Sequence, residues 1–235
     1  MATWDDVGHL TEKQKKELWD SIPPYQRDAR ARGIPQLGSG AIYPLLESDI
    51  TCKRFPIPKH WPKVYGLDVG WNRTAAIWGA IDPDQGVVYL FSEYYRAQAE
   101  PPIHASAIRA RGDWIPGVID PAARGRSQID GGRLIEQYEQ LGLFLSYADN
   151  SVEAGLLAVW ERLSAGKLKV FEDLLNWLSE YRVYQRDEKG KIVKRDDHLM
   201  DATRYLIMSG LNLAMTEPKP DDGFGDFVSD RTRSS

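Results

Sequence analysis

The chain has 235 residues, 42% of them hydrophobic, with eight tryptophans, a single cysteine and a formal net charge of −4 from 30 Lys and Arg against 34 Asp and Glu. That length supports a full core without covalent staples, and the lone Cys52 excludes an intrachain disulfide framework or a zinc finger, pointing to a reducing setting. The acidic balance argues against coating nucleic acid by bulk charge, while the acidic start Met1-Ala2-Thr3-Trp4-Asp5-Asp6 and the lack of any run of ~18 apolar residues argue against a signal peptide or a membrane span.

From Leu10 to Gly33, apolar residues at helical spacing predict two short amphipathic helices parted at Pro23-Pro24. Ile34 to Pro44 is broken by proline and glycine and reads as an extended connector. Two strands are expected over Val64–Gly70 and Thr74–Ile81. After the turn residues Asp82-Pro83-Asp84-Gln85-Gly86, a third is expected over Val87–Tyr95. Alternation follows: a helix over Ile103–Ala110, a strand at Gly117–Asp120, a helix over Gly132–Leu141, a strand over Leu143–Tyr147 and a helix over Val152–Leu163. A strand at Lys167–Val170 and a helix at Glu172–Leu178 continue it. An antiparallel three-strand meander followed by parallel strand-helix units predicts an α/β mixed sheet flanked by helices. Tyr181–Arg186 and Lys191–Arg195, joined by Asp187-Glu188-Lys189-Gly190, predict a basic β-hairpin, and an apolar helix is expected from Asp197 to Ala214. The tail from Glu217 has a disordered composition.

Three acids carry the chemical signal. Asp68 sits in an apolar strand between Gly66 and Gly70, where an unpaired carboxylate is costly and where glycines admit a ligand or a second backbone. Asp120 ends a strand just before Pro121, at the edge where open sheets bind ligands, and the loop after it carries Arg124 and Arg126. Asp197, His198 and Asp201 share one face at the start of the last helix, with Asp197 also suited to an N-cap. Carboxylates from three segments predict a cation site, and all-oxygen ligation suits Mg²⁺ or Mn²⁺, two of which can drive phosphodiester hydrolysis. Glu93, near the end of the third strand, is a further candidate for that site. No Gly-x-Ser-x-Gly elbow or phosphate loop competes. The hairpin segment, with Arg182, Arg186, Lys189, Lys191, Lys194 and Arg195 against Asp187 and Glu188, suits a phosphate backbone.

These acids, in order, and the linker residues Trp4-Asp5-Asp6-Val7, Ile22-Pro23-Pro24, Ala29-Arg30, Gly33-Ile34-Pro35 and Gly38-Ser39-Gly40-Ala41-Ile42-Tyr43-Pro44 resemble the C-terminal nuclease domain of the tailed-phage terminase large subunit. The resemblance implies a ribonuclease-H-like fold and an endonuclease that cuts concatemeric double-stranded DNA during genome packaging in the cytoplasm of the infected host. It implies catalytic and metal-binding roles for Asp68, Asp120 and Asp201, with Asp197 and His198 lining a site for two Mg²⁺ or Mn²⁺ ions. DNA contacts are then expected from Arg124, Arg126, Arg186, Lys189, Lys191, Lys194 and Arg195. It divides the chain into a linker over 1–60, the nuclease domain over 61–216 and a tail over 217–235. The portal protein, the terminase small subunit and an ATPase domain not contained in this chain are the implied partners, so ATP hydrolysis is not expected. The acids alone also suit a transposase or a Holliday-junction resolvase. Gly66-x-Asp68-x-Gly70 leaves open an actin-like ATPase or sugar kinase, and a non-catalytic portal or capsid docking domain is a further alternative.

Overall fold

A computed structural model describes Thr11, Lys13 and residues 40–121 and 133–218. The expected N-terminal helices, Arg124, Arg126 and the tail from 219 lie outside the described residues.

The chain enters through a short helix α1 (Glu47–Ile50) and strand β1 (Thr51–Cys52). The meander follows as β2 (Lys63–Asp68), β3 (Thr74–Ile81) and β4 (Val88–Arg96), then helix α2 (Pro101–Arg109) and β5 (Gly117–Ile119). Next come α3 (Leu134–Gln140), β6 (Leu145–Tyr147), α4 (Val152–Ser164), β7 (Leu168–Phe171), α5 (Leu175–Val183) and α6 (His198–Tyr205). The strands form one seven-stranded sheet in the order β1-β7-β4-β3-β2-β5-β6. β2, β3 and β4 pair antiparallel, with Asp68 opposite Ala75 and Ala75 opposite Tyr95, and the remaining pairs are parallel.

β3 is apolar and buried along nearly its whole length because both faces of the sheet are covered. The pleat sends Val64 to the face packed by Leu156 and Val159 of α4, Trp177 of α5 and Ala202 of α6. Tyr65 and Leu67 go to the other face, against Ile108 of α2 and Tyr138 of α3.

Three expectations change. Residues 181–183, read as the first hairpin strand, instead finish α5. Tyr181 stacks on Trp177 at 5.2 Å between ring centroids, and its hydroxyl donates to the carbonyls of Tyr43 and Leu45, so helical spacing of buried aromatics outweighs their strand propensity. Only the tip of the ribbon remains, where Arg186 bridges Ile192 around a turn closed by Gly190 at φ +77°. The last helix is not uniform: after α6 it widens into a π-helical turn at Leu206–Gly210 and tightens at Leu211–Leu213. Finally, the sheet begins ahead of residue 61, since β1 pairs with β7 and Ile42, Tyr43 and Ile50 are buried in the core.

Candidate active site

Asp68 is the last residue of β2 and Asp120 follows β5 directly, the two strands being parallel neighbours. The Asp120 N–H donates to the Leu67 carbonyl at 3.2 Å, which fixes the two acids side by side at the carboxyl edge of the sheet. Asp201 arrives from α6, which lies directly on β2: a Cβ at Gly66 would collide with the carbonyl of Ala202. The close approach that Gly66 allows is therefore by a second backbone, and it carries the residue preceding Ala202 toward the two strand-end acids.

The carboxylates are held by cationic and imidazole partners. Asp68 Oδ2 lies 2.8 Å from His198 Nδ1. Burial raises the Asp68 pKa, and the charges of Asp201 and Asp120 add to that rise, while the hydrogen bond from His198 opposes it. The same hydrogen bond raises the His198 pKa. Asp201, 8% exposed, accepts from Arg204 Nη2 on Oδ1 at 3.1 Å and from Lys194 Nζ on Oδ2 at 3.1 Å. Arg204 is fully buried, bonds Asn150 Oδ1 through both terminal nitrogens and occupies space that a side chain at Gly155 would take. Lys194 also reaches Asp197 Oδ2 at 2.9 Å. Burial works against its ammonium, but Asp201 and Asp197 outweigh that and raise its pKa.

Asp197 stands at the N-cap position of α6 without making the side-chain cap bond. The first helical N–H groups are satisfied instead by the buried Glu180, whose Oε2 accepts from Leu199 N at 2.6 Å and Met200 N at 3.3 Å. Glu93 acts in the same way on α5, its carboxylate accepting from the backbone N–H groups of Asn176 and Trp177 and from Asn176 Nδ2. Glu180, Arg204 and Asn150 escape the sequence reading. Arg204 leaves one trace, a cation three residues after Asp201 in an otherwise apolar helix.

Among the expected DNA contacts, Lys189, Lys191 and Arg195 are exposed, whereas Lys194 is committed to the acids. Arg186 ties the ribbon down through Glu153 at 2.6 Å and the Gly190 carbonyl at 2.9 Å.

Among the described residues, no three His, Cys, Asp or Glu side chains are gathered closely enough to hold a metal ion as placed. Lys194, Arg204 and His198 supply the positive and donor groups that the carboxylates face. The donor set nevertheless fits a hard divalent cation in kind, since Asp68, Asp120 and Asp201 offer only carboxylate oxygens and their charges bear on one another at Asp68. No helix among the described residues is long and apolar enough to cross a membrane.

Residues 65–209 match the family model described as "Terminase RNaseH-like domain". The large terminase subunit of Salmonella phage P22 is 34% identical over 213 residues, covering 86% of this chain and 42% of that protein. The corresponding protein of Enterobacteria phage LP7 is 34% identical over 88% of this chain and 45% of its own length. The chain thus spans under half the length of these relatives. The solved P22 large terminase nuclease domain is similar with a TM-score of 0.69 and 31% identity, covering 77% of this chain and 96% of that one. The large terminase of the thermophilic bacteriophage D6E shares the fold, with a TM-score of 0.64 and 22% identity over 87% of this chain and 54% of that one.

Proposed function

The chain belongs to the terminase RNaseH-like domain family, and on that footing we propose that it is a Mg²⁺- or Mn²⁺-dependent endonuclease that cuts concatemeric double-stranded DNA during viral genome packaging in the infected host cell. The observation that carries this reading is the placement of Asp68, Asp120 and Asp201 from three separate segments at one edge of the sheet. Asp68, Asp120 and Asp201 would hold two divalent ions, with Asp197 and His198 lining the site. Such ions supply Lewis acidity and a water of lowered pKa for phosphodiester hydrolysis. The chain's own part is orientation. Arg204 fixes Oδ1 of Asp201 and leaves Oδ2 toward the site side occupied by Lys194. His198 fixes Asp68 through Oδ2. Lys189, Lys191 and Arg195 would border the DNA, together with Arg124 and Arg126, which follow Asp120 in sequence. Portal protein, the small subunit and an ATPase domain are the proposed partners in the packaging motor.

Supercoiled plasmid incubated with the 235-residue chain tests this directly. Nicked and linear DNA are expected with Mg²⁺ or Mn²⁺ and none with EDTA. A folded chain that leaves the plasmid intact with either ion would contradict the reading.

A further inference from the structure

The strand-end acids have a second rim that the basic ribbon does not form. In the strand order β4-β3-β2-β5, the turn joining β2 to β3 lies on the side of Asp68 away from Asp120. That turn presents Trp71, three residues after Asp68, with 64% of its surface in water. An indole exposed at this place offers a broad apolar contact surface next to the acids.

The turn is held firmly. Gln98 N donates to the Trp71 carbonyl at 3.0 Å, with Gln98 itself in the left-handed region at φ +48°. Thr74 Oγ1 donates to the Gly70 carbonyl at 3.2 Å, and the Arg73 guanidinium lies 4.3 Å over the Tyr95 ring. Arg96, in register with Thr74, bears on Tyr94 and His104 and so lies on the opposite face of the sheet from Tyr95, leaving Arg73 as the cation on the Asp68 side of the turn. A large flat apolar surface on a rigid turn, beside the Arg73 guanidinium and adjoining a site for phosphodiester chemistry, has the composition that grips a nucleic-acid backbone. The arginine suits a phosphate, and the indole suits the sugar beside it.

We propose that Trp71 packs against a deoxyribose of the DNA flanking the phosphate at Asp68, with Arg73 on the adjoining phosphate, making the β2–β3 turn a second DNA-contacting rim. This rests on the nuclease reading above. Little ordering is needed at the turn on binding, so the contact contributes mainly to affinity.

The test is fluorescence anisotropy of a short fluorescein-labelled duplex titrated with the chain in Ca²⁺ over a range of KCl concentrations. Trp71→Ala is expected to weaken binding about 10-fold with an unaltered salt slope, because no ion is released by an indole. Trp71→Phe should recover most of the loss. Arg73→Gln should flatten the salt slope by about 1. The side chain is exposed, so the melting temperature of Trp71→Ala should match the parent's. Parent-like binding by Trp71→Ala would overturn the proposal, as would a weakening that accompanies a lower melting temperature. A parent that binds no duplex would overturn the nuclease reading and this contact with it, so the two failures are told apart by the parent alone.

Discussion

The carboxylate of Glu180 accepts the N–H of Leu199 at 2.6 Å, so the helix that carries Asp201 is capped from α5 and not by its own Asp197. Removing a buried acceptor leaves helix N–H groups without partners. Glu180→Ala should therefore lower unfolding free energy by about 2 kcal/mol, while Glu180→Gln, which keeps an acceptor, should lose less. Asp197→Ala should cost less stability than Glu180→Ala. Urea denaturation of the three variants checks this ordering, and a larger loss in Asp197→Ala would refute it.

Lys194 Nζ sits 2.9 Å from Asp197 Oδ2 and 3.1 Å from Asp201 Oδ2, in direct competition with any cation drawn to those oxygens. Lys194→Ala should tighten Mn²⁺ binding by roughly threefold or more, since a like charge is withdrawn from the site. Isothermal titration of the two chains would show it. Equal or weaker affinity in the variant would mean that the lysine does not contend with the ion.

Arg204 is buried at 1% exposure and is the partner of Asp201 Oδ1. Arg204→Met keeps the bulk but strips the charge from a buried carboxylate, which typically costs about 3–5 kcal/mol. The chain should melt well below the parent. If Arg204→Met melts with the parent, the buried pair is not what secures Asp201.

Burial pushes the His104 imidazole below its ordinary pKa, aided by Arg96 and opposed by Glu100 and the Ala99 backbone. Its Nδ1 lies 2.8 Å from the Tyr94 hydroxyl. With the folded pKa depressed, the unfolded chain binds the extra proton between that value and about 6.5. The stabilisation is complete above about 6.5 and is lost as the pH falls through the window. Subtracting the His104→Gln denaturation profile from the parent's should leave a difference that shrinks as the pH falls from about 7 toward about 5. A flat difference would show that His104 does not titrate across folding.

The meander and the strand-helix alternation are legible in the sequence because burial on both faces writes long apolar runs such as Thr74–Ile81 into the chain. Asp68 and Asp120 stand out for the same reason, as acids at the ends of those runs. The ribbon misleads because Tyr181 has strand propensity in isolation, whereas its hydroxyl reaches Tyr43 and Leu45, far away along the chain. The roles of Glu93 and Glu180 are illegible on similar grounds: each caps a helix other than the element that carries it, and no local pattern announces such a partner. Gly66 reads as room for a ligand or a backbone, and only the packing of α6 on β2 decides for the backbone.

Asp68, Asp120 and Asp201 acting together on the phosphodiester is the central claim. Asp68→Asn, Asp120→Asn and Asp201→Asn keep side-chain shape, so the rate of plasmid nicking in Mn²⁺ separates chemistry from folding once each variant's melting is recorded. Every one of the three is predicted to lower the rate at least about 100-fold, with Asp201→Asn also melting below the parent because it uncharges the partner of buried Arg204. A folded variant at any of these positions that nicks at the parent's rate would contradict it.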